Sequence, residues 1–151
     1  MEHEMLFRGK RTDNGEWVEG WFFKHLGKSY ILPLEAEESE HTYFFDYMVE
    51  VDPSTVGRYT GLTDKNDKKI FQGDVLIDRN VTIWEDYVKP DGSKWSRSTD
   101  KKVDEIGVVK YQQKGARFLC DGIRGFWWMY VEKLEVIGNI HDNPELLETT
   151  P

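Results

Sequence analysis

Apolar and polar residues alternate in short stretches along most of the chain, with the period of two that marks half-buried strands. The first stretch is centred on Asn14-Gly15, the pair favoured in a type I′ turn, where both central residues need positive φ. A two-residue turn there sets Asp13 against Glu16, Thr12 against Trp17, Lys10 against Glu19, Arg8 against Trp21 and Phe7 against Phe22. That register predicts a Lys10–Glu19 ion pair across the strands and lays Arg8 over the Trp21 ring. A three-residue loop is the alternative, because it separates the like charges of Asp13 and Glu16. Trp17, Trp21 and Phe23 share one face of the second strand, and Val18 and Phe22 the other. Such a strand is central or covered by a second layer, which in an oligomer is a neighbouring subunit.

A turn at Leu26-Gly27-Lys28 leads into a short strand over residues 29–32, stopped by Pro33. The acidic run of residues 35–40 has no apolar partner at strand spacing and reads as a solvated loop. Residues 42–51 alternate well and are expected to form a strand ended by Pro53. Residues 64–67 carry turn chemistry between two extended pieces, and Gly73-Asp74 forms a corner before the apolar Val75-Leu76-Ile77. The same corner commonly opens a strand in SH3-like barrels. Residues 89–102 are polar and read as a loop or a long hairpin tip between weak strands near 81–88 and 103–111. Further strands are expected at 106–111, 116–120 and 134–140, with residues 126–131 either strand or short helix. Asn143-Pro144 looks like the N-cap and first position of a short C-terminal helix that needs Leu146 and Leu147 to pack.

The expected fold is therefore mainly β: antiparallel strands with a small SH3-like barrel, plus a short C-terminal helix. One domain spans residues 1–151, divisible into an N-terminal hairpin lobe (1–51) and a barrel (52–151) with an exposed insert around 79–105.

Composition narrows the functional classes. The chain has 151 residues, with 28 acidic and 20 basic side chains and a formal charge of −8. Residues 1–51 hold 11 acids and 5 bases, residues 52–102 hold 9 and 10, and residues 103–151 hold 8 and 5. Only the middle third escapes a negative field, which disfavours duplex binding. The apolar runs are too short to cross a membrane, and the first ten residues lack the apolar core of a secretion signal, so a cytoplasmic protein is expected. Cys120 is the single cysteine, which excludes an internal disulfide and a multi-thiolate zinc site.

Little in the chain resembles catalytic machinery. His3, His25, His41 and His141 are scattered without metal-ligand spacing. His141-Asp142 and Glu85-Asp86 are adjacent pairs, whose side chains diverge on a strand. Gly57, Gly61 and Gly73 lie too far apart for a phosphate loop. No catalytic residue, cofactor or metal site is expected, and Cys120 reads as a small buried hydrophobe. The aromatic residues are more informative. Trp17, Trp21, Trp95, Trp127 and Trp128 are candidates for an interaction surface, since Trp dominates binding hot spots. If Trp127 and Trp128 lie on a strand they face opposite ways, so one can pack inward while the other meets a partner. Arg58, Lys65, Lys68 and Lys69, together with Trp95, supply the alternative of a single-stranded nucleic-acid surface.

Four segments resemble the YopX-like proteins of bacteriophages and prophages: Leu6-Phe7-Arg8-Gly9-Lys10 with Trp17-Val18-Glu19-Gly20; residues 55–75, from Thr55-Val56-Gly57-Arg58-Tyr59 to Phe71-Gln72-Gly73-Asp74-Val75; Gly107-Val108-Val109-Lys110-Tyr111; and Val136-Ile137-Gly138-Asn139-Ile140-His141-Asp142-Asn143-Pro144-Glu145-Leu146-Leu147. They run in order over nearly the whole chain, and the likeness is weakest over residues 79–105. The resemblance implies a phage-encoded, largely β protein with a small barrel, assembling as a homo-oligomer, and implies no reaction or cofactor. The leading expectation is a non-enzymatic accessory protein that self-associates or binds a host or phage protein. Single-strand nucleic-acid binding is the alternative. A third reading makes Glu35, Glu37, Glu38 and Glu40 an acidic decoy for a host DNA-binding protein.

Overall fold

The computed structural model describes residues 5–34, 44–124 and 127–148. The expected acidic loop at 35–40 lies outside them. Ten strands are described: β1 (Phe7–Lys10), β2 (Trp17–His25), β3 (Lys28–Pro33), β4 (Val49–Val51), β5 (Gly57–Thr63), β6 (Lys69–Phe71), β7 (Asp74–Val88), β8 (Lys94–Gln112), β9 (Arg117–Asp121) and β10 (Leu134–Asn139). They form two antiparallel sheets, ordered β4-β3-β2-β1-β5-β6 and β10-β7-β8-β9. Ile70, Leu76, Val109, Cys120, Ile123, Trp127 and Leu134 make a buried apolar cluster that draws on both sheets.

The first hairpin forms, but two residues out of the expected register: Lys10 pairs with Trp17, Arg8 with Glu19 and Phe7 with Gly20. Gly15 has φ +72° while Asn14 is not in the positive region, so a type I′ turn is not made. The Asn14 side chain instead accepts the Glu16 amide, and Asp13 turns to the Arg11 guanidinium. A shift of two keeps every side chain on its expected face, because the side-chain period is also two. It does change the partners. Glu19 lies 3.9 Å from Lys69 rather than beside Lys10, and Arg8 lies over Trp17 rather than Trp21.

A closed SH3-like barrel is not formed. The chain leaves the first sheet at Gly73, whose φ of +93° makes the corner, and begins the second at Asp74. Closure needs a continuous ladder between sheet edges. Among the described residues the sheets are joined by separate contacts, including Gly73 N–H to the Val109 carbonyl, Ile140 N–H to the Gly73 carbonyl and Lys65 N–H to the Leu134 carbonyl. A single bridge between Arg11 and Val51 also draws the end of β1 back toward β4 and curls the first sheet.

Three further expectations change. Among the described residues of the span 42–51, Phe44–Tyr47 form a helical turn, α1, and Val49–Val51 are strand. The partner strand β3 ends at Pro33, which has no N–H with which to extend the ladder. The expected C-terminal helix is a 3-10 turn over Pro144–Leu147. Asn143 does not cap it, because its Oδ1 accepts the Asn139 amide instead. Residues 127–133 are two 3-10 turns, Trp127–Met129 and Val131–Lys133.

Most of the polar 89–102 segment is strand. β7 and β8 pair from Val75–Val108 out to Val88–Lys94, leaving only residues 89–93 as the tip. β10 stops at the level of Asp78, and β9 pairs with β8 only from Val108 to Gln112. Beyond those points, residues 81–103 form a two-stranded ribbon reaching roughly 25 Å from the body at about 3.3 Å per residue.

Gly20 marks the tightest packing in the first sheet: a Cβ there would stand 1.9 Å from the Leu32 carbonyl oxygen. Gly20→Ala is expected to lower stability by about 3 kcal/mol in urea denaturation, as an overpacked site against immobile backbone. Gly15→Ala, where a Cβ meets nothing, is expected to cost about 1 kcal/mol through φ alone.

Candidate interaction surfaces

Arg8 organises one polar site at the junction of the sheets. β1 directs its side chain toward the start of β7, where Nη2 lies 2.6 Å from Asp74 Oδ1. The guanidinium carbon is 4.7 Å from the Trp17 ring centre and 4.9 Å from that of Phe71, so two rings hold the group. Asp74 is 1% exposed, and its Oδ2 accepts the Phe71 amide at 2.8 Å. Burial pushes this carboxyl above its ordinary value despite Arg8 and the amide.

Asp142 is the second anchor. It accepts Lys10 Nζ on Oδ1, and on Oδ2 the Trp17 indole N–H at 2.7 Å and the Asn139 side-chain Nδ2–H at 3.1 Å. The Lys10, Trp17 and Asn139 hydrogen bonds together hold its carboxyl far below the usual range. Asn139 in turn accepts the His141 and Asp142 amides, locking the turn after β10. His141 lies 5.8 Å from the Trp17 ring, and its pKa is pushed down by burial and then by the charges of Arg8 and Lys10. Asp64 makes a similar clamp, accepting the Asn66, Lys68 and Val136 amides, the last across to β10.

The five candidate tryptophans do not converge. Trp17 is part of the Arg8 site, while Trp21 is exposed four residues further along β2. Trp127 is 3% exposed in the core and donates to the Phe118 carbonyl, whereas Trp128 is 45% exposed beside Met129 and Tyr130. Trp95 stands on the ribbon, stacked 5.0 Å from Tyr87. Lys89 lies over Trp95 and Arg97 over Tyr87. The candidate basic residues occupy the β5–β6 hairpin: Arg58 in β5 near Met5, Lys65 3.1 Å from Glu135, and Lys69 beside Glu19 and over Tyr59. Lys68 forms no ion pair among the described residues. None of these four contacts Trp95 in the described interactions, Trp95 standing on the ribbon and the four basic residues on the β5–β6 hairpin.

Trp84, Tyr87, Lys89 and Arg97 were not singled out in the sequence. Their signal is cross-strand: Tyr87 faces Trp95 and Glu85 faces Arg97 only once the Val88–Lys94 register is known. Arg8 was paired with the wrong ring for the same reason. Cys120 is buried, and burial pushes its thiol up to about 12, which disfavours the thiolate. Among the described residues no group of three or more His, Cys, Asp or Glu side chains is placed to hold a metal ion. Nor is any described helix long and apolar enough to cross a membrane.

Comparison with known families matches residues 6–148 to the YopX protein family. The chain belongs to the YopX family. A search of curated proteins finds no match. Among solved structures, protein EF1440 from Enterococcus faecalis is similar, with 23% identity, a TM-score of 0.56, and coverage of 97% of this chain and 99% of that one. At that identity the likeness concerns the fold. The YopX match includes both anchors of the polar site, Asp74 and Asp142, and the whole ribbon.

Because the Asp142 pKa is depressed in the folded protein, its stabilisation is complete above the carboxyl's ordinary value of 3.8 and is lost as pH falls through the lower folded value. Urea denaturation from pH 7 to pH 2 is expected to show Asp142→Asn less stable than wild type at pH 7. The difference should shrink steadily below pH 4, and a difference that is constant with pH would contradict the assignment.

Proposed function

We propose that this YopX-family protein is a non-enzymatic phage or prophage accessory protein of the host cytoplasm that acts by self-association. The ribbon of one copy docks on the acidic body of another. The observation that carries this reading is the ribbon's isolation. For residues 81–103 the described strand pairing, hydrogen bonds and ring contacts all run within the ribbon. A lone two-stranded ribbon is marginal in water, so its exposed backbone edges and side chains favour a partner. Trp84 is 62% exposed and Val88 70% exposed, with Trp95 and Val103 also open.

Charge favours a second copy as that partner. The ribbon holds five basic residues (Lys89, Lys94, Arg97, Lys101, Lys102) and four acidic ones (Glu85, Asp86, Asp91, Asp100). It is therefore net positive on a chain whose total is −8. A body that repels its own kind carries an arm attracted to it. The exposed aromatic residues supply the desolvated contact area that charge alone does not.

Sedimentation velocity is expected to show reversible association of the wild type that weakens as salt rises. Trp84→Ser is expected to reduce association by removing apolar contact area, and Lys101→Glu with Lys102→Glu by reversing the attraction. Both variants should keep the wild-type melting temperature, since the described pairing and ring contacts of the ribbon stay within it. A wild type that stays monomeric up to millimolar concentration overturns the proposal.

A further inference from the structure

Beyond Asp78 the outer side of β7 is an open strand edge, because β10 pairs with it only from Asp74 to Asp78. The phase of the strand decides which residues present their backbone there. The Ile83 carbonyl accepts the Thr99 hydroxyl, and the Lys89 amide donates to the Ser93 carbonyl, so both residues turn inward to β8. Backbone direction alternates along a strand, and the pairing is regular from Trp84 to Val88. Thr82, Trp84, Asp86 and Val88 therefore point their N–H and C=O groups outward. Over residues 81–88 every residue except Glu85 and Asp86 is β-branched or aromatic, and none is Lys or Pro. Open edges are usually blunted by lysine, proline or a bulge. The outer edge of β8 is blunted in this way. It carries Lys94, Lys101 and Lys102, and its register jumps between Ser98 and Lys102, where the Lys101 amide turns back to Thr99 Oγ1. Past its own irregularity at residues 79–80, the β7 edge has no such protection.

Length, phase and charge of this edge all suit a second copy of itself. It runs from Asn80 to Val88, the end of β7, with Trp84 at its centre. A two-fold axis at Trp84 overlaps two such edges fully and antiparallel. Trp84 then faces Trp84, Ile83 faces Glu85, Thr82 faces Asp86 and Val81 faces Tyr87. Outward-pointing residues meet outward-pointing ones, as an antiparallel ladder requires, and Thr82, Trp84 and Asp86 of the two copies exchange about six N–H···O bonds. No like charges stand opposite within the paired segment, whereas an axis at Glu85 or Asp86 would set a carboxylate against itself. Lys89 falls opposite Arg79 beyond that segment, where Arg79 is held by Asp104 and Glu135. The same arrangement lays the ribbon tip, with Lys89 and Lys94, beside the foot of the other ribbon, where Asp78 lies within the fields of Glu105 and Asp104.

We infer that the outer edge of β7 is the docking surface for a second copy of this chain, the two edges joining antiparallel about a two-fold axis at Trp84. The product is one continuous β8-β7-β7-β8 sheet across two copies. This inference rests on the self-association proposed above and specifies its geometry: each ribbon reaches the other body by running along that body's own ribbon.

Sedimentation velocity with a proline placed on each edge of the ribbon tests it. Asp86→Pro removes an outward N–H and no bond to β8, a position where an edge strand tolerates proline. Each dimer holds that site twice, so association is expected to weaken about tenfold or more. Ser96→Pro, across from Asp86 on the outer edge of β8, is expected to associate as wild type. The geometry is read by double electron–electron resonance from a nitroxide on Val88→Cys, with the buried Cys120 left unlabelled. Val88 stands opposite Asn80 of the other copy, so the two labelled backbones are expected roughly 26 Å apart, at about 3.3 Å per residue. A monomeric wild type removes self-association and this inference together. A wild type that associates while Asp86→Pro is unimpaired, or while Ser96→Pro is impaired as much, overturns the edge assignment and leaves self-association standing. Labels outside about 20–40 Å in the associated protein do the same.

Discussion

The carboxylate of Asp74 is the point on which the two sheets are held together. It sits at the corner where the chain passes from one sheet to the other, is almost wholly buried, and is met by the Arg8 guanidinium in an ion pair and by the Phe71 amide, which donates to it. A buried charge of this kind is tolerable only while paired, and removing one partner of such a pair typically costs about 3–5 kcal/mol. The pairing therefore dictates its surroundings. Arg8 must come inward from β1, Trp17 and Phe71 must flank it, and Trp17 must in turn find Asp142 for its indole N–H. One ionic contact thus draws the first hairpin, the corner and the C-terminal turn into a single arrangement.

The body and the ribbon are built on opposite terms. In the body, aspartates do the work of ladders: Asp64 accepts three amides and links the β5–β6 turn to β10, and Asp142 collects three donors from three segments. These sites let two sheets adhere without closing into a barrel. The ribbon has no such anchors. Its order comes from backbone pairing, a Tyr87–Trp95 stack and cations laid over those rings, all of them solvent-facing. A body tied together by carboxylate clamps and an arm that leaves its edges open divide stability from contact.

The strands were mostly readable because alternation and turn residues are local signals. Gly73-Asp74, the 64–67 turn and the strand at 134–140 all sit where pattern placed them. The failures have a common form. Asn14-Gly15 located the hairpin but not its register, because the choice of loop depended on Asn14 and Asp13 finding better partners in Glu16 and Arg11. Asn143-Pro144 announced a helix, but Asn143 was needed by Asn139. Residues 94–102 looked like loop because serines, threonines and charges dominate them, yet pairing with β7 makes them strand without any core to bury.

Strand content, turn positions and the absence of a long helix follow from properties that each residue carries with it: side-chain period, φ preference and the missing N–H of proline. Which sheet a strand joins, which ring covers Arg8 and which tryptophan is buried do not, since each depends on groups distant along the chain. Trp127 and Trp128 are adjacent and chemically identical, yet one fills the core and the other meets solvent. That difference arises because only Trp127 reaches the apolar cluster that Ile70, Leu76 and Leu134 have already enclosed. Burial is a property of the assembled surface, and no single stretch of residues contains it.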